Sequence, residues 1–261
     1  METMLVFDRL AVRRHRDRAA RTVDQVADVL RDAAGRLLDR LDDTSHRFTR
    51  ALDVGGRGVV APLLRARGMQ VVSCDLSPSM AALNGGLCVA ADEEYLPFAL
   101  AGFDLIVANL SLHWINDLPG ALLQLRQALR PDGLFLASLP VLGTLSELRS
   151  ALTEAEAEIA GGASPRVSPF PELRDCAHLL QRAGFTLPVA DVETIRLLYA
   201  DPFALLRDLR AAGETNAIRQ RTRVTPPHAL FPAALARLPA DGERVVATFA
   251  MAVLTGWAPA A

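Results

Sequence analysis

Lysine is missing from this chain of 261 residues, and all 28 basic side chains are arginine. Its absence excludes a Schiff-base amine and the phosphate-binding lysine of a P-loop. Cysteine is scarce: Cys74, Cys88 and Cys176 are odd in number and lack metal-ligand spacing. They build no disulfide framework, fit a reducing compartment, and are expected to be small buried hydrophobes. An excess of either charge is lacking too, since the net charge is −2, and a nucleic-acid-coating surface is not expected. No apolar run approaches the roughly twenty residues of a membrane span. The first residues lack the apolar core of a secretion signal, and neither an internal repeat nor a low-complexity segment is visible. The expectation is a soluble cytoplasmic protein without a transmembrane segment.

What is present is a hydrophobic content of 51%, enough to bury the core of one large α/β domain with an appended subdomain. The most informative stretch runs from Arg47 to Val60, where a short apolar segment ends in Asp53 and breaks into Gly55, Gly56 and Gly58. That pattern is strand, glycine turn, helix. Such a turn lets backbone approach a ligand closely, and the next helix offers free N–H groups. A second acid, Asp75, closes the run Gln70-Val-Val-Ser-Cys-Asp75. An acid ending the second strand, about twenty residues past the glycines, is placed to accept from both hydroxyls of a ribose. The chain thus reads as a nucleoside binder, provided that bare backbone at 55–58 faces the carboxylate of Asp75.

Hydrophobic runs set the organisation. Arg18 to Leu41 is expected as one amphipathic helix. Strands are expected at Ala51–Val54, Val71–Cys74, Leu87–Ala91, Phe103–Asn109 and Leu134–Leu139, a parallel sheet buried on both faces. Ser77-Pro78 and Asp117-Leu-Pro are helix starts, and Pro131-Asp-Gly133 is a turn. Helices over Thr144–Ala160 and Glu172–Ala183 precede a sixth strand, Val189–Tyr199. Two further helical stretches lead to Arg244–Trp257, expected as the final edge strand. The last two strands are expected to be antiparallel. The class is therefore α/β: a doubly wound, mostly parallel seven-stranded sheet of methyltransferase (Rossmann-like) type with a helical cap insertion. Its expected divisions are an N-terminal helical segment (1–45), the core (46–200), the cap (201–242) and the closing strand (243–261).

The series Asp53-Val-Gly-Gly-Arg-Gly58, Asp75, Ala91-Asp92-Glu93-Glu94-Tyr-Leu-Pro-Phe98 and Phe103-Asp104-Leu-Ile-Val resembles class I S-adenosylmethionine-dependent methyltransferases. More narrowly, Val6-Phe-Asp-Arg9, Asn109-Leu-Ser-Leu-His-Trp-Ile-Asn-Asp-Leu-Pro119 and Ser168-Pro-Phe170 are similar to two groups. These are the mitochondrial arginine-hydroxylating assembly factors of respiratory complex I and the bacterial BioC-like methyltransferases. Arg182-Ala-Gly-Phe185 and Asp208 to Asn216 extend the likeness through the cap. The resemblance implies S-adenosyl-L-methionine as cofactor. Asp53 would orient its cationic methionine end, with Gly55, Gly56 and Gly58 clearing space. Asp75 would hold the ribose from a rim position, Asp92 would accept from the adenine amino group, and Leu76 and Glu93 would lie beside the ring. Asn109 and Leu110 would line the far wall through their backbone. A protein or carrier-bound substrate is implied, and the mitochondrial matrix replaces the cytoplasm if the chain is a eukaryotic homologue.

One departure stands out. The family pattern has a further residue between the first two glycines, and its loss costs up to about 3.5 Å of reach. A non-catalytic assembly protein retaining the fold is therefore an alternative. Gly56-Arg-Gly58-Val-Val-Ala61 also fits the dinucleotide pattern G-x-G-x-x-A, leaving an NAD-binding oxidoreductase as a third. For catalysis, His113 follows the fourth strand, where open α/β sheets bind ligands; it can face the reacting centre or bond beneath its loop. Tyr199 and Tyr95 are the only tyrosines and can donate to a substrate or to backbone; Tyr199 is the second catalytic candidate. Trp114 reads as core packing. His15-Arg-Asp17 has the spacing of a metal-binding pair, but it lies in the arginine-rich run Arg13 to Arg21, which reads as a solvated helix start, and no metal is expected. Those arginines can also close over the cofactor or meet an acidic surface.

Overall fold

The computed structural model describes residues 5–260. Residues 1–4, on which part of the secretion-signal reading rests, and residue 261 lie outside the described residues. In chain order the elements are α1 (Arg9–Ala19), α2 (Ala27–Asp39), β1 (Arg50–Val54), α3 (Val60–Ala66), β2 (Gln70–Asp75), α4 (Pro78–Ala82), β3 (Leu87–Ala90) and β4 (Phe103–Asn109). They continue with α5 (Leu118–Ala128), β5 (Leu129–Pro140), α6 (Ser146–Ala160), α7 (Leu173–Arg182), β6 (Thr186–Tyr199), α8 (Pro202–Ala211), α9 (Leu230–Leu235), β7 (Ala240–Asp241) and β8 (Arg244–Trp257).

The sheet has the order β3-β2-β1-β4-β5-β8-β6, with the two-residue β7 paired to β8. β1 to β5 are mutually parallel; the apolar runs of β1, β2, β4 and β5 are largely buried, whereas β3, the strand at the open edge, is not buried as expected, with Leu87, Cys88 and Ala90 exposed. β8 is not the edge strand that the sequence reading expects. It lies between β5 and β6 and runs against both, so β6 points the same way as β1 to β5 and β8 alone among the long strands is reversed. Burial explains the placement. Ala250 to Leu254 are all buried, which only a strand paired on both sides sustains, whereas β6 alternates exposed and half-buried residues, as an edge with one wet face does.

Helices cover both faces of the sheet. α2 and α3 pack with Val71, Leu105, Leu136 and Met251 on one side; α5 and α7 pack with Leu52, Ile106, Phe135 and Leu254 on the other. Ser77 and Asp117 cap α4 and α5 through Met80 and Gly120 N–H groups at 3.0 and 2.9 Å, as their sequence contexts predict. A separate apolar cluster joins α6, α8 and α9 with the Val245–Ala247 end of β8, so α6 packs with the cap helices.

The N-terminal helix is two helices. α1 stops at Ala19, and a short 3₁₀ turn at Val23–Val26 intervenes before α2. Thr22 makes the break: its φ is −137°, and its hydroxyl donates to the Ala19 carbonyl at 3.3 Å, the local back-bonding by which threonine competes with helix. The break turns α1 across the carboxyl ends of the strands. There Phe7, Ala11 and Val12 pack against Trp114, Ala217 and Ile218. Among the described residues no helix is long and apolar enough to cross a membrane.

Candidate functional site

A closed cluster of acids and arginines and an open cavity lie at the carboxyl ends of the parallel strands. The first is the cleft expected to hold a nucleoside. Its acids are where the sequence places them, but not with the freedom it predicts. Asp75, at the end of β2, is fully buried rather than at a rim. Its Oδ1 accepts from the Ser77 N–H at 2.7 Å and its Oδ2 from Arg16 Nη1 at 3.2 Å. Glu93 is also fully buried and accepts from the same Arg16 Nη1 at 2.6 Å and from Arg9 Nη2. Asp92, partly exposed, accepts from Arg9 Nη2 at 2.5 Å. Arg16 is 1% exposed and also donates to the Ser111 carbonyl at 3.1 Å, so the segment Arg13 to Arg21 is not merely a solvated helix start. Leu76 packs with Phe7 and Trp114 instead of facing an open ring site.

The glycine loop is closed in the same manner. A Cβ on Gly55 would lie 2.2 Å from Ser111 Cβ, and one on Gly56 would lie 2.1 Å from Asp53 Oδ2. Glycine is thus required by close approach of the chain to itself, and a bare backbone cradle opposite Asp75 is not what the structure shows. Gly58 N–H donates to Asn84 Oδ1 at 2.9 Å and Asn84 Nδ2 donates to the Gly56 carbonyl at 2.7 Å, fixing the shortened loop from α4. Arg57 reaches from the loop to the Leu110 carbonyl at 2.9 Å and to Glu214. Asn109 turns its side chain away, donating to the Leu30 carbonyl at 3.0 Å and accepting from Ser138 at 2.9 Å.

Electrostatics follow from this packing. Burial alone would raise the Glu93 carboxyl, but Arg16 and Arg9 outweigh it and hold the group below its ordinary value. Arg16 lies farther from Asp75 than from Glu93, and for Asp75 burial wins and the carboxyl is raised. Asp53 has both carboxylate oxygens buried without a hydrogen-bond partner, and burial pushes it up to about 7. An orphaned buried acid of this kind costs free energy and is aimed beneath the glycine loop. By type, these carboxylates are the acceptors that ribose hydroxyls, an adenine amino group and a cationic centre would need. In the closed arrangement the acids at the β2 and β3 ends already hold guanidinium groups, so the fit requires those arginines to leave.

The second region is a cavity of about 710 Å³ beneath the cap. Its wall includes His113, Tyr199, Leu110, Leu148, Phe170 and Phe231, whereas Asp53, Gly55, Gly56, Gly58, Asp75, Leu76, Asp92, Glu93 and Asn109 do not contribute. Both catalytic candidates therefore share one hollow. His113 sits on the 3₁₀ turn Leu112–Trp114 after β4, with Nε2 2.7 Å from Glu214 Oε2. The same oxygen accepts from Trp114 Nε1 at 2.6 Å, while Arg57 donates to the other. Burial would raise Glu214, but His113 and Arg57 more than compensate and hold it well below the usual carboxylate range. His113 Nδ1 is buried without a partner. Tyr199 is half-buried, and burial with Asp208 beside it raises its phenol. Trp114 is core packing, edge-on to Phe7 at 5.2 Å. Tyr95 is exposed, and so is Cys88, against the expectation of burial that Cys74 and Cys176 meet.

Arg57, Asn84 and Glu214 have structural roles that the sequence does not announce, while Arg16, one of the arginines expected to close over a cofactor or meet an acidic surface, meets the Asp75 and Glu93 carboxylates. Arg9 joins it because the two are seven residues apart, two turns along one helix face.

A methyltransferase-domain family matches residues 13–188. The mitochondrial arginine-hydroxylase NDUFAF5 of Danio rerio is 37% identical over 268 residues, covering 98% of this chain and 84% of that protein. The malonyl-[acyl-carrier protein] O-methyltransferase of Xylella fastidiosa is 39% identical over 228 residues, covering 83% of this chain and 75% of that protein. Among solved structures, the YcgJ protein of Bacillus subtilis superposes with a TM-score of 0.59 at 13% identity, covering 86% of this chain and 98% of that one, a likeness of fold.

Proposed function

Because the chain belongs to the class I S-adenosylmethionine-dependent methyltransferase superfamily, we propose that it binds S-adenosyl-L-methionine at the ends of β1 to β3 and transfers a group to a substrate in the cavity under the cap. Asp53, Asp75, Asp92 and Glu93, with the backbone at Gly55 to Gly58 and Leu110, would hold the cofactor. Bound there, it supplies an electrophilic methyl group carried on a sulfonium. The observation that carries the reading is that Arg57 of the glycine loop and Leu110 after β4 line the same cavity as His113 and Tyr199.

The chain's own residues then have definable tasks. Apolar walls exclude water and align the substrate, which accounts for much of the catalysis a methyl transfer needs. Glu214 anchors His113 through Nε2 and leaves Nδ1 buried without a partner at the cavity wall; for that nitrogen to exchange a proton with substrate, the wall must open around it. Tyr199 stays protonated at neutral pH and is able to donate a hydrogen bond.

Charge at the cavity mouth bears on the substrate. Arg18 and Arg210 both contribute to the lining, and among the described residues neither has a carboxylate within 4.0 Å. Their mutual repulsion lowers the Arg18 guanidinium, after burial. The lining also carries Asp208 beside Tyr199, so both signs of charge are present; it is the predominantly apolar wall that favours a carrier-bound acyl group over the guanidinium of a protein arginine. A role in respiratory complex I assembly and a cytoplasmic or matrix location are further parts of the resemblance. A second reading, an assembly protein that keeps the fold without catalysis, is favoured by the arginine-filled cleft. Calorimetric titration with S-adenosylmethionine and with NAD separates these: heat with the first alone supports the enzyme, heat with neither supports the assembly protein, and heat with NAD supports an oxidoreductase. Mass spectrometry of acyl-carrier and arginine-peptide substrates then distinguishes a gained methyl group from a gained oxygen.

A further inference from the structure

Every acid that the proposed function assigns to adenosine, namely Asp75, Asp92 and Glu93, already accepts a hydrogen bond from α1, through Arg16 or Arg9. Arg16 also bonds the Ser111 carbonyl, and Arg9 the Trp114 carbonyl at 3.1 Å. The two guanidinium groups thus fill the cleft's acceptors from one helix face. The other side of the same helix belongs to the cavity, since His15 and Arg18 contribute to its wall.

α1 is also tied to the cap. The Asp8 N–H donates to the Ala217 carbonyl and the Arg219 N–H to the Val6 carbonyl, both at 2.8 Å, and Arg221 pairs with Asp8 at 2.9 Å. At the far end α1 crosses the turn after α8, two residues past its end at Gly213. A Cβ on Gly213 would lie 3.2 Å from Ala19 Cβ, and Gly213 has φ +81°, so both space and backbone conformation demand glycine there. α1 is therefore a wall shared by the two regions and fastened to the element that roofs the second.

We propose that α1 is a displaceable latch. Arg16 and Arg9 occupy the nucleoside's acceptors in the closed state, and binding of an S-adenosyl ligand drives them off Asp75, Glu93 and Asp92. Because Arg18 and His15 move with them, cofactor binding rearranges the mouth of the cavity and so precedes productive substrate binding. The inference rests on the cofactor reading given above. A closed state competing with the ligand lowers apparent affinity by the fraction of molecules that are open, and substitutions that weaken the closed state restore it.

The test uses the full chain as wild type, Arg16→Gln and Arg9→Gln, titrated calorimetrically with S-adenosylhomocysteine, together with hydrogen exchange of the wild type with and without that ligand. The latch predicts affinity at least tenfold tighter in Arg16→Gln, a smaller gain in Arg9→Gln, and faster amide exchange across residues 9–19 when the wild type is saturated. Wild-type binding with α1 exchange unchanged or slowed overturns the latch while the cofactor reading stands. Weaker binding by Arg16→Gln also overturns it, since Arg16 would then contact the ligand. Absence of binding in all three proteins overturns the cofactor reading, and the latch with it. If Arg16→Gln fails to fold, Arg9→Gln and wild-type exchange carry the test, because Arg9 lies at a partly exposed position.

Discussion

The cleft at the ends of β1 to β3 and the cavity under the cap lie on the two sides of α1, yet one is closed and the other open. The cleft is built from charges on short connections, and long arginine side chains reach across it until its acids are paired. The cavity is built from apolar groups on α6, α8, β6, β8 and the turn after β4. These backbones are fixed by their own packing, and no side chain spans the gap. Charged groups on short connections are satisfied internally and leave no pocket, whereas an apolar hollow persists.

The largest effect should come from removing the acid that holds both arginines. Glu93→Ala leaves Arg16 buried with only Asp75 as a carboxylate partner, and loss of about 3–5 kcal/mol in urea unfolding is expected. A loss below about 1 kcal/mol would mean that the closed cleft is not the state present in solution.

Asp53 gives the next effect and a pH signature. Its folded pKa of about 7 lies above the unfolded value, so between roughly pH 4 and 7 the folded protein holds a proton that the unfolded chain has released. Stability contributed by this group therefore falls as pH rises through that window and is level above it. Asp53→Asn should flatten the slope, leaving the part due to the raised Asp75 carboxyl, and stabilise the protein by about 3 kcal/mol at pH 8, read from denaturation midpoints across pH. An unchanged slope would show that Asp53 is not the titrating group.

Glu214 acts in the opposite sense. Its depressed pKa contributes stability that is present above the unfolded glutamate value and lost as pH falls through the folded one. Glu214→Gln should cost about 1–3 kcal/mol at pH 7, and nitrogen NMR should show the His113 ring losing its fixed tautomer. A ring unaffected by the change would detach His113 from Glu214.

The smallest effect is on the cavity itself. Leu206→Trp, on the half-buried lining, should abolish binding of an apolar fluorescent dye while changing stability by less than about 1.5 kcal/mol. Undiminished dye binding would place the dye elsewhere.

Much of the fold was legible because burial on both faces writes parallel strands as unbroken apolar runs. The position of β8 was less so: its apolar run from Phe249 to Leu254 marks a central strand, but chain order invites reading the last strand as an edge. The break at Thr22 was hidden in a continuous amphipathic pattern. At the site, Asp53, Asp75, Asp92 and Glu93 were readable as residue types, and His113 and Tyr199 as candidates. What pairs with them was not. The crowding of arginines over residues 13–21 suggests an acidic surface to meet, but not which acids; the seven-residue spacing of Arg9 and Arg16 is what hints that one face turns inward.

The most direct test of the contrast between cleft and cavity is a crystal structure of the full chain with S-adenosylhomocysteine. Asp75 should hold the ribose hydroxyls with Arg16 withdrawn and the cap cavity still open. The ligand seated in that cavity, with Arg16 still on Asp75 and Glu93, would contradict the account.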